Sequence, residues 1–210
     1  MVQMVVQWFL IKIVFRLNCT LMITKLVAFD FDGTLMNSPS PEEGMVLYKE
    51  RTGKDFPDKG WWSSPASLDI DVFDIKPYND IANILAKEGA NPNTMVIILT
   101  SRIEALRPDL IKVLNKNGIE VDGIFMNDHN VDKGERIYDF LRWERNIKAI
   151  DVYDDRGKDI EAYFLIKKHM PEDIVFNIYR ADKGSVNLLE NQINIKKIIN
   201  EEIDKLVWVN

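Results

Sequence analysis

Short, continuous apolar runs punctuate this chain at regular intervals. Leu26 to Phe29 is unbroken rather than alternating, the pattern of a strand buried on both faces of a parallel sheet. Thr94 to Leu99 (TMVIIL), Val121 to Met126, Lys148 to Tyr153 (KAIDVY) and Ile174 to Tyr179 read the same way. Helical periodicity fills the intervals. Pro77 to Gly89 carries a proline in its first turn, with Ile81, Ile84 and Leu85 on one face. Pro108 to Asn117 follows, stopped by Gly118; another helix opens at Asp132-Lys133 with Ile137, Phe140 and Leu141 inward. Lys158 to Lys168 and Asn187 to Leu206 complete the series, the last with Leu189, Ile193, Ile199, Ile203 and Leu206 apolar. Alternating strands and helices predict an α/β fold, a doubly wound parallel sheet with helices on both faces.

Two stretches depart from this rhythm. Residues 36–76 are irregular, broken by Pro39, Pro41, Pro57 and Pro65, with a short helix expected from Glu42 to Arg51. They contain Gly60-Trp61-Trp62-Ser63-Ser64-Pro65 and then Ser67-Leu68. The two tryptophans either stack a base or sugar at an exposed site or anchor the loop on the core. Residues 1–21 are apolar but interrupted by Lys12 and Arg16, too short a run for a membrane span and without a basic leader. An added strand or helix and a weak membrane anchor are readings of this segment. The preferred one is an extension upstream of a start at Met22, with the folded domain occupying residues 22–210.

Composition narrows the field. At 210 residues the chain holds one domain with room for a small insertion. Its 46% apolar and 29% charged residues are ordinary for a globular protein. A net charge of -6 argues against a broad nucleic-acid surface, while leaving space for a local basic groove. Cys19 is the only cysteine, so neither a disulfide framework nor a thiolate metal site is available. The expected setting is the cytoplasm, with no stable membrane partner.

The chemistry sits where the apolar runs end. The first gives way to Asp30, Asp32, Gly33 and Thr34, at the carboxyl edge where open α/β sheets bind ligands. Gly33 lets the backbone turn beside a small anion. One of the two aspartates is placed to attack phosphorus while the other handles the leaving-group proton. The second run ends in Thr100-Ser101-Arg102; the hydroxyls suit a helix cap, and Arg102 suits a phosphate. Lys133 lies at a helix start, where solvated charge is common. The fourth run ends in Asp154-Asp155-Arg156. Adjacent carboxylates repel, a cost that a magnesium ion removes while bridging to phosphate oxygens. The alternative is an acidic helix N-terminus. His129 and His169 have no partners at metal-ligand spacing.

Taken together, DxDGT at Asp30 to Thr34, Thr100, Lys133 and the Asp154-Asp155 pair resemble the four motifs of the haloacid dehalogenase (HAD) superfamily. A finer similarity covers most of residues 25–165: DFDGTL, the Gly-Trp-Trp-x-x-Pro-x-Ser-Leu stretch, LTSR and VYDDRxxxIEAY resemble the Swiss Army Knife RNA repair-like HAD domain. The Asp-Asp-Arg ending is similar to the 3'-phosphatase domain of phage polynucleotide kinase-phosphatase, without any G-x-x-x-x-G-K-[ST] kinase signature. The resemblance implies a Rossmannoid HAD sheet with a small cap at about residues 37–76 and a Mg2+-dependent phosphomonoesterase. In it Asp30 is the nucleophile, Asp32 the general acid and base, Thr100 a phosphoryl ligand and Lys133 the neutralising cation. Mg2+ is held by Asp30, the Asp32 carbonyl, Asp154 and Asp155. Gly33, Thr34, Ser101, Arg102, Trp61, Trp62 and Arg156 fall to the substrate. A polynucleotide 3'-phosphate end is the expected substrate; a small metabolite, nucleotide or phosphoprotein is the alternative, and a non-catalytic binding protein the second one.

Overall fold

The computed structural model describes residues 22–127 and 131–189. The readings of residues 1–21, of His129 and of the helix beyond Leu189 lie outside the described residues. Among the described residues are six strands: β1 (Lys25–Phe29), β2 (Thr94–Ile103), β3 (Gly123–Asn127), β4 (Ala149–Asp154), β5 (Val175–Asp182) and β6 (Ser185–Leu188). Five α-helices accompany them among the described residues: α1 (Pro41–Thr52), α2 (Asn79–Gly89), α3 (Arg107–Lys116), α4 (Lys133–Trp143) and α5 (Gly157–Lys167). The sheet order is β3-β2-β1-β4-β5-β6, parallel throughout except for the β5–β6 hairpin.

The continuous apolar runs work because every strand residue has a face to bury. In β1, Val27 and Phe29 enter a core with Val96, Ile98, Leu110 and Val113, while Leu26 and Ala28 enter the opposite one with Ile97, Leu99, Ile137 and Ile160. Helices α2 and α3 therefore cover one face, and α4 and α5 the other. Among the described residues no helix is long and apolar enough to cross a membrane.

Three expectations are corrected. Pro77 lies before α2, in an antiparallel bridge with Met36, and Tyr78 precedes the first helical residue. Strand β2 does not stop at Leu99 but runs through Thr100, Ser101 and Arg102, with a register irregularity against β3. Asn187 and Leu188 belong to β6 rather than a helix. Lys183 and Gly184, both at positive φ, make the two-residue turn that pairs Asp182 with Ser185.

The irregular insertion packs onto the sheet. Helix α1 begins in a reciprocal Ser40–Glu43 capping box. Two 3-10 turns follow, Trp61–Ser63 and Pro65–Leu68. Trp61 is 3% exposed and shares a core with Phe29, Phe31, Leu68 and Phe73. Its ring lies so close to Gly44 that a Cβ there would fall 1.9 Å from it. Expected to contact substrate, Trp61 is instead a core anchor, because the aromatic rings of Phe56 and Phe73 enclose it at 4.9 and 5.5 Å.

Candidate active site

A tight loop follows β1. The Asp30 amide donates to the Tyr153 carbonyl (2.9 Å), and the Leu35 and Met36 amides return to the Asp30 and Phe31 carbonyls (3.2 and 2.8 Å). Phe31 is fully buried, so the loop is pinned between its two aspartates. Gly33 turns it at φ 78°, and a Cβ there would lie 2.5 Å from Asp155 Oδ2. Glycine is needed twice over, for the turn and for the approach of the carboxylate.

Lys133 closes the site from the opposite side. Its Nζ donates to Asp30 Oδ1 (2.6 Å) and Asp154 Oδ2 (2.7 Å) and lies 3.5 Å from Asp159 Oδ2, with only 1% of the side chain exposed. Asp132 caps α4 by accepting the Glu135 amide (2.8 Å), which fixes the helix start. One residue on, a Cβ at Gly134 would stand 2.7 Å from the Ala162 carbonyl oxygen, so α4 and α5 meet closely beside the lysine. Burial alone would pull the Lys133 ammonium down, but Asp30, Asp154 and Asp159 outweigh it and hold it above the usual lysine value. Burial pushes the Asp30 carboxyl up against the opposing pull of Lys133, and the charges of Asp154 and Asp32 add to the rise. The Tyr163 hydroxyl donates to Asp154 Oδ2 (3.0 Å).

Asp30, Asp154 and Asp155 each offer an oxygen, all within 4.8 Å of one another. Asp155 Oδ1 is buried without a hydrogen-bond partner among the described residues. Burial and the neighbouring Asp154 charge push its carboxyl up to about 6. Converging hard oxygen donors with one unsatisfied lone-pair set fit a divalent cation such as Mg2+. The Asp32 side chain stands apart from this cluster. Arg102 donates to both its oxygens (Nε to Oδ2 2.7 Å, Nη2 to Oδ1 2.9 Å).

Among the remaining expected residues, Thr100 is buried and its Oγ1 accepts the Arg102 amide (3.1 Å), leaving the hydroxyl proton to donate. The buried Thr34 hydroxyl has no hydrogen-bond partner among the described residues. Ser101 is partly exposed. The Arg156 side chain is half exposed, 3.6 Å from Asp159, and its amide donates to Asp154 Oδ1 (3.0 Å). Trp62 is 45% exposed and lies over the Arg102 guanidinium at 5.3 Å. Arg102 itself, expected to meet phosphate, is 2% exposed with its fork committed to Asp32 and Ser67, so the structure does not present it to a ligand.

Sequence reasoning missed Asp159, Tyr163, Ser67 and Arg136. Asp159 is a first-turn acid of α5, and its spacing from Asp154 is the available signal. Arg136 donates to the Thr100 and Phe125 carbonyls (3.0 and 3.2 Å), tying α4 to the irregular part of β2.

These groups leave the carboxyl ends of β1, β2 and β4 and the start of α4, at the reversal of strand order beside β1, where open α/β sheets hold ligands. No family model matches the chain. It is 27% identical, over 67% of its length, to uncharacterized protein YMR265C of Saccharomyces cerevisiae, and spans 36% of that relative. Among solved structures it is similar to the HAD domain of effector protein Lem4 from Legionella pneumophila (15% identity, TM-score 0.48, covering 85% of this chain and 95% of that one). It is also similar to the HAD-like hydrolase SP0104 from Streptococcus pneumoniae (15%, TM-score 0.44, 68% and 80%). The Pnkp1/Rnl/Hen1 complex gives 19% identity and a TM-score of 0.43 over 78% of this chain and 48% of that one. At this sheet edge the buried Asp30 and Asp154 and the partly exposed Asp155 form the acidic cluster, with Asp32 on a separate cation.

Proposed function

We propose that this chain is a HAD-superfamily phosphomonoesterase that uses Mg2+ and an aspartyl-phosphate intermediate. The observation that carries the reading is Asp30 paired with buried Lys133 inside a three-carboxylate cluster, with Asp32 two residues away on its own cation. An Asp30 oxygen attacks phosphorus, the bond from phosphorus to the ester oxygen breaks, and Asp32 gives that oxygen a proton. Asp32 then takes a proton from water; the resulting hydroxide attacks the same phosphorus, and the bond to Asp30 breaks to release inorganic phosphate. Lys133 balances charge on Asp30 throughout, and Thr100 and Thr34 offer hydroxyls to phosphoryl oxygens. Mg2+, held by Asp30, Asp154, Asp155 and the Asp32 carbonyl, would neutralise the phosphoryl oxygens.

For the substrate we infer a polynucleotide 3'-phosphate end. The insertion at residues 37–76 is too small to enclose the site, and exposed Trp62 offers a stacking face beside it. The protein is assayed with Mg2+ on a 3'-phosphorylated oligonucleotide, its 5'-phosphorylated counterpart and an aryl phosphate, wild type beside Asp30→Asn. Selective 3' release, absent from the variant, is the expected result. Activity on the aryl ester alone keeps the chemistry and points to a metabolite, nucleotide or phosphoprotein. Silence on all three favours a non-catalytic binding protein.

A further inference from the structure

We propose that Arg102 is a positioning residue that holds the Asp32 carboxylate in the plane its proton transfers require, and that the insertion acts on the reaction through Arg102. The inference rests on the phosphatase reading above. Every donor face of the guanidinium is turned inward: Nε and Nη2 grip the two Asp32 oxygens, and Nη1 donates to Ser67 Oγ (2.8 Å). A bidentate fork fixes the carboxylate plane as well as its position, which a lysine ammonium does not do. The Arg102 side chain is 1% exposed and that of Asp32 is 16% exposed, so the pair is shielded on the arginine side and open on the aspartate side.

The support for Arg102 comes from two directions. From the sheet, its amide is held by Thr100 Oγ1 (3.1 Å). From the insertion come Ser67, whose hydroxyl also donates to the Ser64 carbonyl (2.7 Å), and Trp62, whose ring covers the guanidinium at 5.3 Å. Serine and tryptophan thus belong to two consecutive 3-10 turns that close over one arginine. A ligand that presses on the open face of Trp62 presses on the ring that covers Arg102. The cation of Asp30 comes instead from α4, through Lys133.

Arg102→Lys and Ser67→Ala are compared with wild type on an aryl phosphate and an alkyl phosphate. The aryl oxygen leaves with little need of a proton, whereas the alkyl oxygen needs one. A defect in Asp32 placement therefore falls on the alkyl ester. The expected result is a fall of about tenfold or more in the alkyl-to-aryl ratio of kcat/KM for Arg102→Lys, and a smaller fall in the same direction for Ser67→Ala. Competitive inhibition by inorganic phosphate stays as in wild type. An equal loss of kcat/KM on both esters overturns the proposal, and weaker phosphate inhibition alongside it would make Arg102 a phosphate ligand. Should Arg102→Lys fail to fold, an unchanged ratio in Ser67→Ala overturns it alone. Wild-type protein that cleaves neither ester removes the phosphatase reading and this inference together.

Discussion

Asp30 and Asp32 are separated by one residue and live in different electrostatic surroundings. Asp30 shares a compact ammonium with Asp154 and Asp159, in a pocket where negative groups outnumber the positive one. Asp32 has a planar guanidinium to itself, with both oxygens engaged. A shared point charge leaves lone pairs unclaimed and a deficit of positive charge, which suits a group that binds a cation and attacks phosphorus. A private fork leaves orientation as the fixed quantity, which suits a group that passes protons. The division of labour is made by what faces each carboxylate, since the two acids themselves are identical.

Substitutions test that contrast, beginning with the most severe. Asp30→Asn is expected to lower phosphate release by at least about 10⁴-fold with the circular dichroism spectrum unchanged, since an amide does not form the acyl phosphate. Asp32→Asn is expected to cost about 10²-fold, and more on poor leaving groups than on good ones. Equal losses for the two variants on every ester would break the comparison. Lys133→Met leaves buried carboxylates without their counter-ion and is expected to cost about 3–5 kcal/mol in denaturant unfolding, with part restored by added Mg2+. No restoration would argue against a cation site beside Asp30.

A gentler probe is pH. Asp155 has its carboxyl raised from 3.8 to about 6 in the folded protein, so the folded state holds that proton more tightly than the unfolded chain. Its contribution to stability is complete below 3.8 and is lost as pH rises through about 6. A divalent cation replaces the proton. The Mg2+-induced rise in melting temperature is therefore expected to be large at about pH 7.5 and to shrink below about pH 6, with protons released on binding in calorimetry. The same rise at about pH 5 would exclude Asp155 as a ligand. Smallest is Trp62→Ala, expected to alter stability by no more than about 1 kcal/mol, as befits an exposed cation–π contact.

The sheet was legible because a buried parallel strand is written in consecutive residues, and the Asp30 and Asp154-Asp155 pairs lie directly after such runs. The Asp32–Arg102 pairing was not, since it joins residues 70 positions apart and Thr100-Ser101-Arg102 read equally well as the end of a strand. Trp61 and Trp62 show a second limit. In a 3-10 turn successive side chains point about 120° apart, so one ring goes into the core and its neighbour out to Arg102. Hydrophobicity alone could not rank them. Near the carboxyl end, a helical spacing of apolar residues ran through Asn187 and Leu188. Hydrogen bonding to β5 across the Lys183-Gly184 turn won there over the local pattern.

The close meeting of α4 and α5 at Gly134 makes the reach of Lys133 a matter of helix spacing. An alanine at this position would have to push Ala162 away, and the ammonium would retreat with its helix from Asp30 while every charged group remained in the sequence. The strength of the charge felt by Asp30 is thus adjustable from a neutral residue, through geometry alone. Loss of activity at Gly134 would then look electrostatic in its symptoms and steric in its origin.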